Sequence, residues 1–125
     1  MATFQGIQTV TRESGSTISP YRFVVFAADG QYDHAGAQGK VDGVSAEGVT
    51  GAGKAFPMIL PTGCIVKVEA GAAITINASV ASDGSGRVIT AVSGAGNYTC
   101  GTALQAANNA GEIIEVQFLV DRDQA

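Results

Sequence analysis

Apolar residues recur at every second position in short runs along this chain, and none of its longer windows carries the three-to-four spacing of an amphipathic helix. The clearest run is residues 112–120 (EIIEVQFLV), which puts Ile114, Val116, Phe118 and Val120 on one strand face and Glu115 and Gln117 on the other. Residues 64–69 alternate as cleanly, with Cys64, Val66 and Val68 facing in and Lys67 and Glu69 facing out. Residues 73–80 align Ile74, Ile76, Ala78 and Val80, and these two neighbouring runs are expected to pair as a hairpin. Residues 21–26 differ: Tyr21, Phe23 and Val25 share one face, and Val24 and Phe26 share the other with Arg22. Apolar residues on both faces predict a strand covered twice, in the middle of the domain or under a subunit contact. A short strand is expected over 40–46, where Gly43 marks a bulge or close approach, and a short apolar run over 56–60 precedes the Pro61-Thr62-Gly63 turn. Residues 102–109 (TALQAANN) favour helix by propensity, but they lack a charged face and read as strand followed by turn.

The segments between these runs are rich in Gly, Asp and Asn. Residues 3–11 read as an edge strand or an arm that docks on a neighbour, 12–19 as a polar loop, 31–40 as a hairpin connection or mobile surface loop, and 48–54 as a glycine-rich loop tip or a segment ordered only by a partner. Within 79–112, the Asp83-Gly84 turn separates two β-prone runs, and a third run starts at Gly101. A weaker copy of this plan occupies 24–48, with Asp29-Gly30 as its turn and Gly43-Val44-Ser45 as its return strand. The expected fold is therefore all-β. It is a small single-domain β-barrel or β-sandwich of about 8–10 short strands, with an internal hairpin-plus-strand pseudo-repeat. The expected organisation is an N-terminal arm or edge strand and loop over 1–19, the β domain over 20–120 and a polar tail over 121–125.

Composition narrows the function more than the fold. Charged residues are only 14% of the chain, about half the usual share, while 46% of residues are hydrophobic. Disordered chains are charge-rich, and no apolar run is long enough to span a membrane as a helix, so a compact domain with an unusually neutral surface remains. Such a surface suits extensive contact with other chains. The net charge of −4 and scattered basic residues argue against direct nucleic-acid binding by phosphate neutralisation. No basic segment followed by an apolar core opens the chain, so synthesis in the cytoplasm is expected. Cys64 and Cys100 lie in β-prone runs among apolar neighbours, and buried free thiols are expected rather than a disulfide.

Candidate chemistry is sparse. His34, the only histidine, neighbours Asp33, but no Gly-x-Ser-x-Gly elbow accompanies it, and a loop histidine is the expectation. The carboxylates lie mostly in turns without the alternating oxygen ligands of a calcium loop. Gly51-Ala52-Gly53-Lys54 lacks the upstream glycine and following hydroxyl of a phosphate loop. Asn77-Ala78-Ser79 and Asn97-Tyr98-Thr99 fit the glycosylation pattern, which is short and common by chance. No catalytic residue, cofactor or metal ligand is assigned, and no enzymatic activity is expected. The aromatics Phe4, Tyr21, Tyr32, Phe56 and Tyr98 are spread along the chain as core or interface anchors.

Five segments, in order, carry a resemblance: YRFVVFAADG, DGVSAEG, LPTGCIVKVEAGAAIT, VASDGSGRVITA and GTALQAANNAGEIIEVQF. Together they resemble the small decoration, or cement, proteins on the heads of tailed bacteriophages, over about Tyr21 to Leu119 and without the N-terminal arm. The resemblance implies a non-enzymatic protein, made in the host bacterial cytoplasm, that binds the major capsid protein on the outside of an icosahedral shell. It also implies that the protein stabilises that shell against packaged DNA. A homo-oligomeric clamp follows as the expectation, a trimer in preference to a dimer, because several weak contacts made at once become strong. Phe4, Ile7, Tyr21, Phe26, Tyr32, Phe56 and Tyr98 are the candidate capsid or oligomer contacts. The alternative class is a β-sandwich carbohydrate-binding or adhesion module on a virion or cell surface, which needs Tyr32, Phe56 and Tyr98 to converge on one open groove.

Overall fold

A computed structural model describes residues 8–92, 94 and 96–122, the last in its backbone alone. Phe4, Ile7 and residues 123–125 lie outside the described residues, while residues 121–122 of the expected polar tail belong to the last strand. Among those described there are ten strands and no helix. They are β1 (Thr9–Glu13), β2 (Phe23–Phe26), β3 (Tyr32–His34), β4 (Gly43–Ser45), β5 (Ala55–Ile59), β6 (Ile65–Glu69), β7 (Ser79–Ser82), β8 (Val88–Thr90), β9 (Tyr98–Ala103) and β10 (Ile113–Arg122).

The strands form two five-stranded antiparallel sheets, ordered β1-β5-β4-β2-β3 and β6-β10-β9-β7-β8. Neither order closes on itself, which removes the barrel alternative and leaves a sandwich-like arrangement of two open sheets. Counted from its own first strand, each sheet has the same order. The chain beyond β1 makes a parallel bridge from Ser14 to Tyr32 at the far edge of the first sheet, and an antiparallel one from Ile18 to Val49. The chain beyond β6 does likewise, from Ala70 to Val88 and from Ile74 to Ala107. In each sheet, therefore, the segment after the first strand crosses over an apolar face.

Two of the expected elements are corrected. Residues 64–69 and 73–80 do not pair as a hairpin, since β6 pairs with β10 and the next strand starts only at Ser79. Asn77 takes a left-handed φ of 71°, which breaks the alternation, holds Ile74 inside and leaves Ile76 exposed. Residues 31–40 contain a strand, β3, rather than only a connection. The turn between β7 and β8 is also built differently from expectation: Asp83 Oδ1 accepts from the backbone N–H groups of Ser85 and Arg87, while the positive φ belongs to Gly86, not Gly84.

The doubly covered strand is present. Phe23 and Val24 are both fully buried, on opposite faces of the first sheet. Val24 joins Ile18, Tyr32, Phe56 and Met58 in a small cluster on one face, beneath the crossing segment of residues 14–18. Phe23 and Val44 face the second sheet and join Val66, Val80, Ile114, Val116 and Phe118 in the main core, with the Phe23 and Phe118 rings 5.9 Å apart. Tyr21 falls outside the strand, because its φ of 61° ends the alternation two residues early.

Candidate docking surfaces

The strand register defines one transverse row of side chains on each sheet. In the first, Thr9 pairs with Ile59, Ile59 with Val44 and Val44 with Phe23. In the second, Ile65 pairs with Gln117, Gln117 with Thr102 and Thr102 with Ser79. The rows occupy the same strands in the shared order. Phe23 and Val44 of the first row are buried against the second sheet. The second row is open: Ser79, Gln117 and Ile65 are exposed and Thr102 is half-buried. A shallow concavity runs along it, lined by Ser79, Gly101, Thr102, Gln117 and Leu119.

The surface that receives the first row is equally well defined. Phe23 N–H donates to the Gly86 carbonyl at 2.7 Å, and Glu69 N–H donates to the Tyr21 carbonyl at 2.9 Å. Gln38 N–H donates to the Ser82 carbonyl. A side chain at Gly86 would strike the Phe23 carbonyl, so the two halves meet backbone to backbone there. Charge closes the edge of this contact. The Arg22 guanidinium reaches the Ser85 carbonyl at 3.0 Å and Glu69 at 3.4 Å, and Arg87 lies against Glu69 and Asp83. Arg22 Nε is buried without a hydrogen-bond partner, so the guanidinium is held by its two terminal nitrogens.

The positions in the first sheet that correspond to this receiving surface are uncovered. Gly30 corresponds to Gly86, each with positive φ just ahead of its sheet's third strand, yet nothing lies within 4 Å of where a Gly30 side chain would start. Phe26, at the end of β2 as Ser82 is at the end of β7, is 54% exposed where Ser82 is fully buried. Its ring rests on Tyr32 with centroids 5.1 Å apart. Glu13, the counterpart of Glu69, accepts from Gln31 Nε2 at 2.8 Å, as Glu69 takes Arg87.

The candidate contact residues therefore separate. Tyr21 and Phe26 are exposed, Tyr98 is half-buried on β9, and Tyr32 and Phe56 lie in the small cluster, their ring centroids 6.3 Å apart. Because Tyr32 and Phe56 are inside, the open aromatic groove required of a carbohydrate-binding module is not formed by these residues. The row Ile65, Gln117, Thr102 and Ser79 escapes a reading by composition, since its polar members look like an ordinary solvated strand face. Only their alignment across four strands makes them a surface.

The remaining chemistry is structural in character. His34 Nε2 accepts from Ser19 N–H at 3.1 Å, while the Ser16 hydroxyl donates to Asp33 rather than to the imidazole. Burial holds the His34 pKa below its ordinary value, and Arg22 adds to that depression against the opposing pull of Asp33 and Asp83. Cys64 and Cys100 are free and buried, and burial pushes the Cys100 thiol up to about 12, so it stays protonated. No group of three or more His, Cys, Asp or Glu that could hold a metal occurs among the described residues.

Comparison with known proteins gives the chain its family and its fold a relative. Among curated proteins no sequence matches. In solved structures, the head fibre gp8.5 N base of bacteriophage phi29 matches with a TM-score of 0.74 at 17% identity, covering 95% of this chain and 98% of that one. At that identity the likeness establishes the fold alone. A model of the phage cement protein family matches residues 1–118, which takes in the N-terminal segment that the five resembling segments leave out. With a family match over nearly its full length and the fold of a phage head component, the chain belongs to the phage cement protein family and is a phage head decoration protein.

Proposed function

We propose that this protein is a homo-oligomeric clamp on the outer surface of a tailed-phage head. It binds the major capsid protein at local symmetry axes as a trimer and stabilises the shell against the pressure of packaged DNA. The observation that carries this reading is the family match over residues 1–118. The surface supports it: the chain is 14% charged and carries exposed Ile65, Ile113 and Leu119 around the open face of the second sheet, with Lys67 and Glu115 between them. Contacts of this moderate size hold firmly when one clamp engages several shell subunits at once. Synthesis in the host bacterial cytoplasm and assembly onto completed heads accompany this role. We further read the shared strand order and paired bridges as one supersecondary unit used twice, the pseudo-repeat that the two Gly-rich turns suggest in the sequence.

The test compares heads carrying the protein with heads stripped of it, heated while DNA release is followed by dye fluorescence. A higher release temperature for decorated heads is expected. Equal temperatures would exclude a cement role.

A further inference from the structure

The contact between the two sheets is one-directional. The row of the first sheet seats on the receiving surface of the second, so one row and one receiving surface remain unused, at opposite ends of the shared arrangement. The unused row is Ile65, Gln117, Thr102 and Ser79. The unused receiving surface is marked by Phe26, Asp29 and Gly30, whose counterparts Ser82, Ser85 and Gly86 are engaged by Gln38, Arg22 and Phe23. A two-fold exchange within the chain would cover Gly30 with Ser79 as Gly86 is covered by Phe23. Instead Ser79 is exposed and Gly30 is open.

We propose that a second copy of this chain fills the gap. The open row of one copy seats on the Phe26 and Gly30 surface of the next, repeating between copies the contact that joins the two sheets within each copy. This inference rests on the homo-oligomeric reading above and supplies its interface. Such a contact is heterologous, and a heterologous contact that closes gives a cyclic assembly. Three copies then form one ring of six similar units. Polar Ser79, Thr102 and Gln117, standing where the internal contact has Phe23, Val44 and Ile59, keep the free chain soluble before assembly. Exposed Phe26 supplies an aromatic anchor from the other side.

Paired cysteines test this directly, because Cys64 and Cys100 are buried. Ser79→Cys and Asp29→Cys proteins are prepared separately, mixed, and treated with a short thiol–thiol cross-linker. Covalent pairs are expected in the mixture and in neither protein alone, and the double variant is expected to yield products that stop at three chains. Cross-linking of either single variant with itself would overturn the head-to-tail contact, and an unlimited ladder from the double variant would overturn ring closure. Absence of cross-links in a sample whose light-scattering mass is trimeric would place the interface elsewhere while leaving the homo-oligomer standing. A monomeric mass for the unmodified protein would sink both. Phe26→Glu, at an exposed position, is expected to keep the far-ultraviolet spectrum and melting transition of a folded chain while its mass falls from three chains to one. A retained trimer would count against the Phe26 surface.

Discussion

The row Thr9, Ile59, Val44, Phe23 and the row Ile65, Gln117, Thr102, Ser79 occupy matching strands, yet they meet different fates. The first is apolar toward its Phe23 end and disappears into the core. The second is polar at the same positions and stays open. Two sheets of the same strand order thus carry, on corresponding strands, one row inside the joint and one row open, and the two rows differ in the polarity of their side chains. The same contrast holds at the glycines: Gly86 is pressed against the Phe23 carbonyl, and Gly30 has nothing in front of it.

The largest expected break in that comparison comes from the rows themselves. Phe23→Ala removes a fully buried ring that packs on Phe118 and should cost about 3–5 kcal/mol in denaturant unfolding. Ser79→Ala on the open row should stay within about 0.5 kcal/mol for the isolated chain. A similar cost for the two would mean that the rows are not divided into joint and face.

Next come the glycines. Gly86→Ala combines a strained φ with a collision on the Phe23 carbonyl and should lose about 2–4 kcal/mol. Gly30→Ala meets only the strained φ and should lose about 1 kcal/mol. Melting temperatures of the two variants, measured side by side, give the difference.

The charge pairs sharpen the picture further. Arg22→Met withdraws the guanidinium from Ser85 and Glu69 across the joint and should cost about 1 kcal/mol, because Glu69 keeps Arg87. Gln31→Met, which loses only the exposed bond to Glu13, should be close to neutral. A double-mutant cycle of Arg22→Met with Glu69→Gln should show coupling, and full additivity would remove Arg22 from the joint.

The smallest effect is on pH dependence. The folded state holds the His34 pKa below 6.5 and uses its neutral Nε2 to accept from Ser19. Well above pH 6.5 both folded and unfolded states are neutral at this site, so it adds no slope there. As pH falls below that value the unfolded chain takes up the proton first, and stability declines until the folded pKa is passed. His34→Gln should flatten this decline as pH falls through 6.5, as read from urea midpoints. An unchanged slope would assign the decline to carboxylates.

Much of this molecule follows from local chemistry. Period-two alternation marks 112–120 and 64–69 as strands because one face of each must leave water, and β10 and β6 occupy them. Apolar residues on both sides of residues 23–24 predict double coverage for the same reason, and both are fully buried. The ordered, Gly-placed segments carry the family, because turns with positive φ admit few other residues. Other features depend on tertiary packing. Asn77 and Tyr21 take positive φ without being glycine, so no local rule reveals that Ile76 and Tyr21 leave their expected faces. The pairing of β6 with β10 spans a long stretch of chain, and its register is set by which faces the two sheets bury together rather than by either strand alone. Hence the sequence by itself determined the longest alternating strands, the low charge and the family. The joint at Phe23 and Gly86, and the open row that mirrors it, were decided by the tertiary structure, because each is assembled from distant strands whose side chains share a face only after the sheets form.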